Sequence, residues 1–447
     1  MTELAATEPR ARLREVLGVA EFRVLLVAQT QSRAGDQLAR VALALLVFDR
    51  TSSAVLTTLV YALTYLPPLL SAPWLAGLAD RYPRRTVMVG TDLVRAGLVA
   101  VMAIPALPLP AVAVLLVLMT CPQPLFSAAR NATLPQVLAG DRFPVGMSIV
   151  NSADFLAQIA GFTLGGLMVA ALGGPHIALA IDAVTYLVSA ALLRRGLRPH
   201  PPEGGAPGAA ATPGRGRFPL AAIGILARDR QLRGLAALLW LFGFYLAPAA
   251  LAAPYAAQIG AGKAAVGVLM AADLPGAVLG GLLVARVPPA LRQRLMIPLA
   301  VATGLPLLAT ALVPSVPLAV LAWAGMGVLS TYMTLAQVAF TRAVPDAIRA
   351  RAIGLASAGL QTAQGLGVLL AGAIAEAIPA ADAIAVCGAA GVVGTIVISL
   401  TCHPGAARPA AAVPPAARAE AAPRAADATP RAADATPRAA EAAPEGS

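Results

Sequence analysis

Residues 84–130 read RRTVMVGTDLVRAGLVAVMAIPALPLPAVAVLLVLMTCPQPLFSAAR. Two apolar runs, 86–108 and 109–129, stand back to back, and each is long enough to cross a bilayer core of about 30 Å as a helix of roughly 20 residues. Arginines crowd the two ends of the pair, and the proline-rich turn between the runs has none. Working outward, the same unit recurs, giving twelve apolar spans in all: 22–48, 54–79, 86–108, 109–129, 143–171, 175–193, 234–256, 264–285, 295–313, 314–341, 352–375 and 383–402. Even-numbered spans are followed by basic clusters, with Arg81, Arg84 and Arg85, then Arg130 and Arg142, then Arg286, Arg292 and Arg294, then Arg342, Arg349 and Arg351. The turns after odd-numbered spans hold only Arg50 and Lys263. Lys and Arg accumulate in cytoplasmic loops, so the pattern predicts an all-α, multi-pass protein of a bacterial inner membrane with both termini in the cytoplasm.

Composition excludes other classes. The chain is 58% hydrophobic and 12% charged, with a mean hydropathy of +0.75, far from a soluble domain. The net charge of +11 resides in loops between apolar spans, with no basic stripe interleaved with aromatics, so nucleic acid is not an expected partner. Cys121, Cys387 and Cys402 lie in separate spans, and His176, His200 and His403 are scattered, so no disulfide, metal site or cofactor is expected. No phosphate-binding G-x-x-x-x-G-K-[ST] loop, H-E-x-x-H or G-x-S-x-G is present, which argues against a nucleotide-driven pump and against an enzyme. No cleavable leader is evident, because the start is polar and charged and the first apolar run is too long.

The polar stretch 194–230, rich in Pro, Gly and Arg, reads as a cytoplasmic linker between two six-span bundles, 1–193 and 231–402. Spans five and eleven share Ala157/Ala363, Gln158/Gln364, Gly161/Gly367, Leu164/Leu370 and Gly166/Gly372 at one constant offset, the mark of an internal duplication. From 403 to 447 the composition changes: PRAADAT recurs with a proline in every repeat and no large apolar residues, which reads as a disordered cytoplasmic tail.

Between spans two and three stands Ala76-Gly77-Leu78-Ala79-Asp80-Arg81-Tyr82-Pro83-Arg84-Arg85. It resembles the G-x-x-x-D-R-x-G-R-R loop of the major facilitator superfamily, with Asp80, Arg81, Arg84 and Arg85 in register, Gly77 displaced by one, and Pro83 in place of the second glycine. FRVLLVAQTQSRAGDQLARVALALLVFD in span one, FSAARNATLPQV, GGPHIALAIDAVTYLVSAALL and AFTRAVPDAIRARAIGL resemble the branch that holds enterobactin exporters and macrolide efflux pumps. The resemblance, over about 22–402, implies a monomeric carrier of small molecules driven by protons. It also implies a cytoplasmic gate at Gly77, Asp80, Arg81, Arg84 and Arg85. Two departures bear on proton coupling. The antiporter motif G-P-x-x-G-G is Gly161-Phe162-Thr163-Leu164-Gly165-Gly166 here, and Cys121-Pro122-Gln123-Pro124 stands where span four often carries an arginine.

Polar residues inside the spans are the candidate site. At 100° per residue Gln29, Arg33, Asp36 and Arg40 fall within an arc of about 60° and along about 16 Å of span one. Three charges facing lipid would cost several kcal/mol, so they face a wet cavity or other helices. The resemblance places span one beside a central cavity with spans four, seven and ten. Arg33 and Asp36 are the leading candidates for substrate or proton contact, with a structural lock between helices as the other reading. Asn151, Asp154, Gln158, Gly161 and Gly165 share one face of span five, suited to the interface between the bundles. Asp273 is an isolated carboxylate in span eight, either a proton carrier or structural. Gln123, Tyr245, Gln337, Gln361 and Gln364 either line the path or join helices. Asp92 and Arg95 read as a structural pair, and Asp182 as structural on a peripheral helix. Prolines 67, 68, 122, 248 and 275 predict kinks.

The expected function is export of a small amphipathic organic molecule by proton-coupled alternating access. An importer of the same fold for a small nutrient fits the same pattern, since gradients set direction, and a non-transporting membrane scaffold is the reading from another class.

Overall fold

The computed structural model describes residues 13–79, 82–198, 229–312, 314–345 and 348–402. Among them it is helical throughout, with no strand. The expected tail, most of the expected linker, and Asp80 with Arg81 of the expected gate lie outside the described residues.

Among the described residues ten helical segments are long and apolar enough to cross a membrane. The two expected spans missing from that set are helices as well: Ala20–Thr51, of 32 residues, and Arg84–Met102, of 19. What separates them is charge. Arg33, Asp36 and Arg40 sit in the first, Asp92 and Arg95 in the second. Most of these side chains are turned against other helices, as the cost of a lipid-facing charge requires.

Span one ends where Ser52 takes a left-handed conformation (φ 52°) and its N–H returns to the Phe48 carbonyl. Ser53 then caps the next helix, accepting from the Leu56 N–H at 3.2 Å. Every expected kink coincides with a break. Span two divides into Ala54–Ala62 and Leu66–Ala79. There Pro67 has no N–H to give, and the preceding residues tighten to i→i−3 bonds, Thr64 to Tyr61 and Tyr65 to Ala62. Span four divides at Cys121-Pro122 into Leu109–Thr120 and Gln123–Val137. Span seven passes through a 3-10 segment, Leu241–Leu246, ahead of Pro248. Span eight breaks after Lys263–Ala271, whose last residue stands four before Pro275, and restarts as Asp273–Ala285.

Packing follows a repeated plan. In the N-terminal bundle span one packs on spans five and six, and span three on span six; in the C-terminal bundle span seven packs on eleven and twelve, and span nine on twelve. Between bundles span five meets span eight, and span eleven meets span two. The offset pairs read in the sequence occupy matching places in this plan. Gly161 lies against Ala34 of span one, and its partner Gly367 against Gly243 of span seven; Gly166 lies against Gly267 of span eight, and its partner Gly372 against Thr58 of span two. The polar-and-small face of span five therefore packs on span one, inside its own bundle. Gly166, one residue beyond that face, makes the contact between bundles. Glycine leaves no Cβ to hold these backbones apart.

Candidate functional site

Span one carries its polar stripe into the N-terminal bundle, and each member meets a different neighbour. Gln29 donates to both carboxylate oxygens of Asp154 on span five, at 2.8 and 3.0 Å, and Gln158 Nε2 reaches the Asp154 carbonyl at 3.4 Å. Arg33 stands 3.8 Å from Asp36. Asp36 is the hub: its Oδ1 accepts from Arg95 of span three at 3.1 Å and from the Tyr186 hydroxyl of span six.

Span six supplies more than a peripheral support. Asp182, Tyr186 and Ser189 are fully buried and fall at i, i+4 and i+7, one helical face turned toward spans one and three. Ser189 donates to Asp92 at 2.6 Å, Thr185 donates to the Asp182 carboxylate at 3.2 Å, and the Arg95 guanidinium lies over the Tyr186 ring, 4.4 Å from its centroid. Gly35 permits the approach of span six, because any Cβ there would strike Asp182 and Thr185. Two expectations are thereby corrected. Arg95 pairs with Asp36 across helices and not with Asp92 on its own helix, and Asp182 sits at the packed junction of spans one and six. Arg95 Nε, one Asp182 oxygen and the whole Gln37 amide are buried with no hydrogen-bond partner among the described residues.

Arg40 takes another direction. Its guanidinium lies 5.9 and 5.6 Å from the ring centroids of Tyr61 and Tyr65 on span two, and no carboxylate stands within ion-pair distance among the described residues. Each such cation–π contact is worth about 0.5–2 kcal/mol depending on desolvation, and both stand near the outer limit of about 6 Å; an arginine at a helix centre costs about 2.5–3.5 kcal/mol. Asp36, Arg40, Arg95 and Gln123 line one cavity within the bundle.

The remaining candidates are dispersed. Asp273 begins the second half of span eight, its carbonyl against Gly327 of span ten, and among the described residues no hydrogen bond or ion pair joins its side chain to another helix. Tyr245 is buried in the C-terminal bundle, donating to the Ala300 carbonyl at 3.4 Å with its ring edge-on to Tyr332. Gln361 and Gln364 are half-buried on span eleven, and Gln337 is exposed. At the expected gate, Arg84 donates to the Ala132 carbonyl at 2.6 Å and Arg85 to the Leu197 carbonyl at 3.2 Å, tying the start of span three to the ends of spans four and six. Gly77 lies in the last turn of Leu66–Ala79.

The two bundles are joined at one end. Lys263, the first residue of span eight, donates to Asp49 at the end of span one at 2.6 Å. Glu376, at the end of span eleven, accepts from the Ser53 hydroxyl at 3.3 Å and the Val55 N–H at 3.2 Å at the start of span two. Nothing in the sequence reading singled out this pairing, although the only lysine in the chain and a carboxylate at the foot of the opposite span were its visible parts. Among the described residues the arginines of the other end bond within their own bundle.

Helices that bury ionisable groups between them, in two bundles of matching plan, are the architecture of a polytopic membrane protein. The sequence profile of the Major Facilitator Superfamily matches residues 25–329, well over half of the chain, and the chain belongs to that family. Its members are transporters and not enzymes. A relative, the uncharacterized MFS-type transporter YfiS of Bacillus subtilis, is 31% identical over 170 residues, which is 38% of this chain and 40% of that one. The chain thus matches less than half the length of that curated relative. A mutant of the nucleoside transporter NupG is similar in fold, with a TM-score of 0.69 at 15% identity, over 85% of this chain and 99% of the other. A POT family transporter in complex with 5-aminolevulinic acid has a TM-score of 0.68 at 12% identity, over 89% and 99%.

Proposed function

We propose that this chain is a secondary active transporter that exports a small amphipathic organic molecule by alternating access, in exchange for protons, and that it belongs to the efflux branch its sequence resembles. It works as a monomer in a bacterial inner membrane. All twelve spans cross the bilayer, the bundles 1–193 and 231–402 are joined by a cytoplasmic linker at 194–230, and both termini, including the tail 403–447, are cytoplasmic.

One observation carries this reading: the bundles close on each other at the Asp49, Ser53, Lys263 and Glu376 end, the end that the arginine distribution assigns to the outside. The conformation is then closed toward the outside, one of the two states that alternating access requires. Within it Asp36, fixed by Arg95 and Tyr186, is the group whose charge couples proton to substrate, with Asp154 and Asp273 as further carboxylates on the path. The Asp80, Arg81, Arg84 and Arg85 loop is the cytoplasmic latch.

Proteoliposomes with an imposed pH gradient test it. Wild-type protein moves an amphipathic dye against its gradient and collapses the pH difference, while Asp36→Asn inserts normally and does neither. Flux indifferent to the gradient, or normal coupled flux by D36N, would overturn the assignment.

A further inference from the structure

The cavity between spans one, two, three and four has a polar lining of Asp36, Arg40, Thr64, Arg95, Thr120 and Gln123. Most of these groups are already engaged. The Thr64 hydroxyl donates to the Tyr61 carbonyl at 2.8 Å and that of Thr120 to the Leu116 carbonyl at 3.0 Å. Asp36 and Arg95 hold each other at 3.1 Å.

Arg40 and Gln123 are left. Tyr61 and Tyr65 set their rings 5.9 and 5.6 Å from the Arg40 guanidinium, near the outer limit of about 6 Å for such a contact, and the Tyr65 side chain is within hydrogen-bonding reach of it; its N–H groups meet no carboxylate among the described residues. The half-buried Gln123 makes no side-chain hydrogen bond among those residues. It is also the first residue of the 15-residue second half of span four, so the positive end of a helix dipole lies at the same cavity. Two guanidiniums against one carboxylate leave the lining with a single net positive charge.

We propose that this cavity seats the carboxylate of an organic acid, with the Arg40 guanidinium taking its charge and the Gln123 amide donating a hydrogen bond. A monoanion fits the single uncompensated charge, whereas Asp36 in the same lining repels a dianion such as phosphate. Beyond the Tyr65 contact the Arg40 guanidinium, with five N–H donors, keeps others for a carboxylate, which its planar fork matches in geometry. The proposal rests on the transporter reading, and it names the substrate class of that same path as amphipathic organic acids.

Full-length protein in nanodiscs is titrated at neutral pH, without a gradient, with 1-naphthoate and its uncharged amide, binding being followed by tryptophan fluorescence and calorimetry. Naphthoate binds saturably and at least tenfold more tightly than the amide. Arg40→Gln removes that preference, Gln123→Ala weakens naphthoate severalfold, and adding millimolar chloride to a chloride-free zwitterionic buffer changes little. Equal binding of acid and amide by the wild type overturns the proposal whether or not R40Q folds. So does undiminished naphthoate binding by a folded R40Q, or displacement of naphthoate by millimolar chloride, which would mark a site for inorganic anions. Because binding is read at equilibrium, failure of gradient-driven flux leaves this result standing, and a working pump that ignores ligand charge defeats this inference alone.

Discussion

Gly166 of span five and Gly267 of span eight meet backbone to backbone: a Cβ on Gly166 would fall 2.7 Å from the Gly267 nitrogen. The duplicate contact, Gly372 against Thr58, closes the other side of the same end. Spans five and eight therefore approach main chain to main chain, and spans eleven and two main chain to side chain, and this closure is one of the two states a rocking carrier alternates between.

A bulky residue at that point must push the bundles apart. Gly166→Leu is expected to fold, since the strain is relieved by opening one end, and to lose about fivefold or more in transport, since overpacking costs about 1–3 kcal/mol in the closed state alone. Spin labels at Thr51, the last residue of the span-one helix, and near Gly260, before span eight, should show a longer distance in G166L than in the wild type. An unchanged distance with normal transport would mean that the two glycines are mere packing.

The Asp36–Arg95 pair is nearly enclosed, with side-chain exposures of 12% and 7%. Removing one partner of a buried pair strands the other, at a cost of about 3–5 kcal/mol. Asp36→Asn should accordingly lower the thermal midpoint of the detergent-solubilised protein strongly without preventing insertion. Asp36→Asn combined with Arg95→Gln should recover most of the loss while remaining inactive, because the pair is removed together. Equal destabilisation of the single and double variants would show that Arg95 draws its stability from Tyr186 and not from Asp36.

Sequence alone made the spans, the kinks and the duplicated glycines legible, because each is written in local chemistry: run length, a missing N–H, an absent Cβ. It also flagged the stripe of Gln29, Arg33, Asp36 and Arg40. What it left open was the direction of each member, since partners on spans two, three, five and six are set by packing between distant segments. Arg95 shows this well. Three residues from Asp92 it read as a local pair, yet a helix face shared with span one sent its guanidinium to Asp36. The i, i+4, i+7 spacing of Asp182, Tyr186 and Ser189 was the signal that would have placed span six in the same cluster.

Gly35 marks where span six leans on span one. Gly35→Ala introduces a Cβ against Asp182 and Thr185, both fixed by their own hydrogen bonds. A loss of about 1–3 kcal/mol is expected, read as earlier thermal unfolding, together with reduced transport as Tyr186 withdraws from Asp36. If G35A matched the wild type in both, the span-six face would have room to give and could not be what orients the carboxylate.

Lys263 and Asp49 form the ionic half of the outer closure at 2.6 Å, with side-chain exposures of 47% and 40%. A pair so exposed contributes about 0.2–1 kcal/mol, enough to shift a two-state equilibrium by up to about fivefold. Lys263→Ala should therefore favour the outward-open state modestly, with the difference from the wild type fading at high salt as the interaction is screened. Lys263→Glu faces Asp49 with a like charge and should shift the balance further. Exchanging both, as Asp49→Lys with Lys263→Glu, restores attraction and should restore the wild-type distance between labels at Thr51 and Gly260. A double exchange that behaves like Lys263→Glu alone would show that the closure is held by the glycine contacts, and that the lysine only marks the boundary of the membrane.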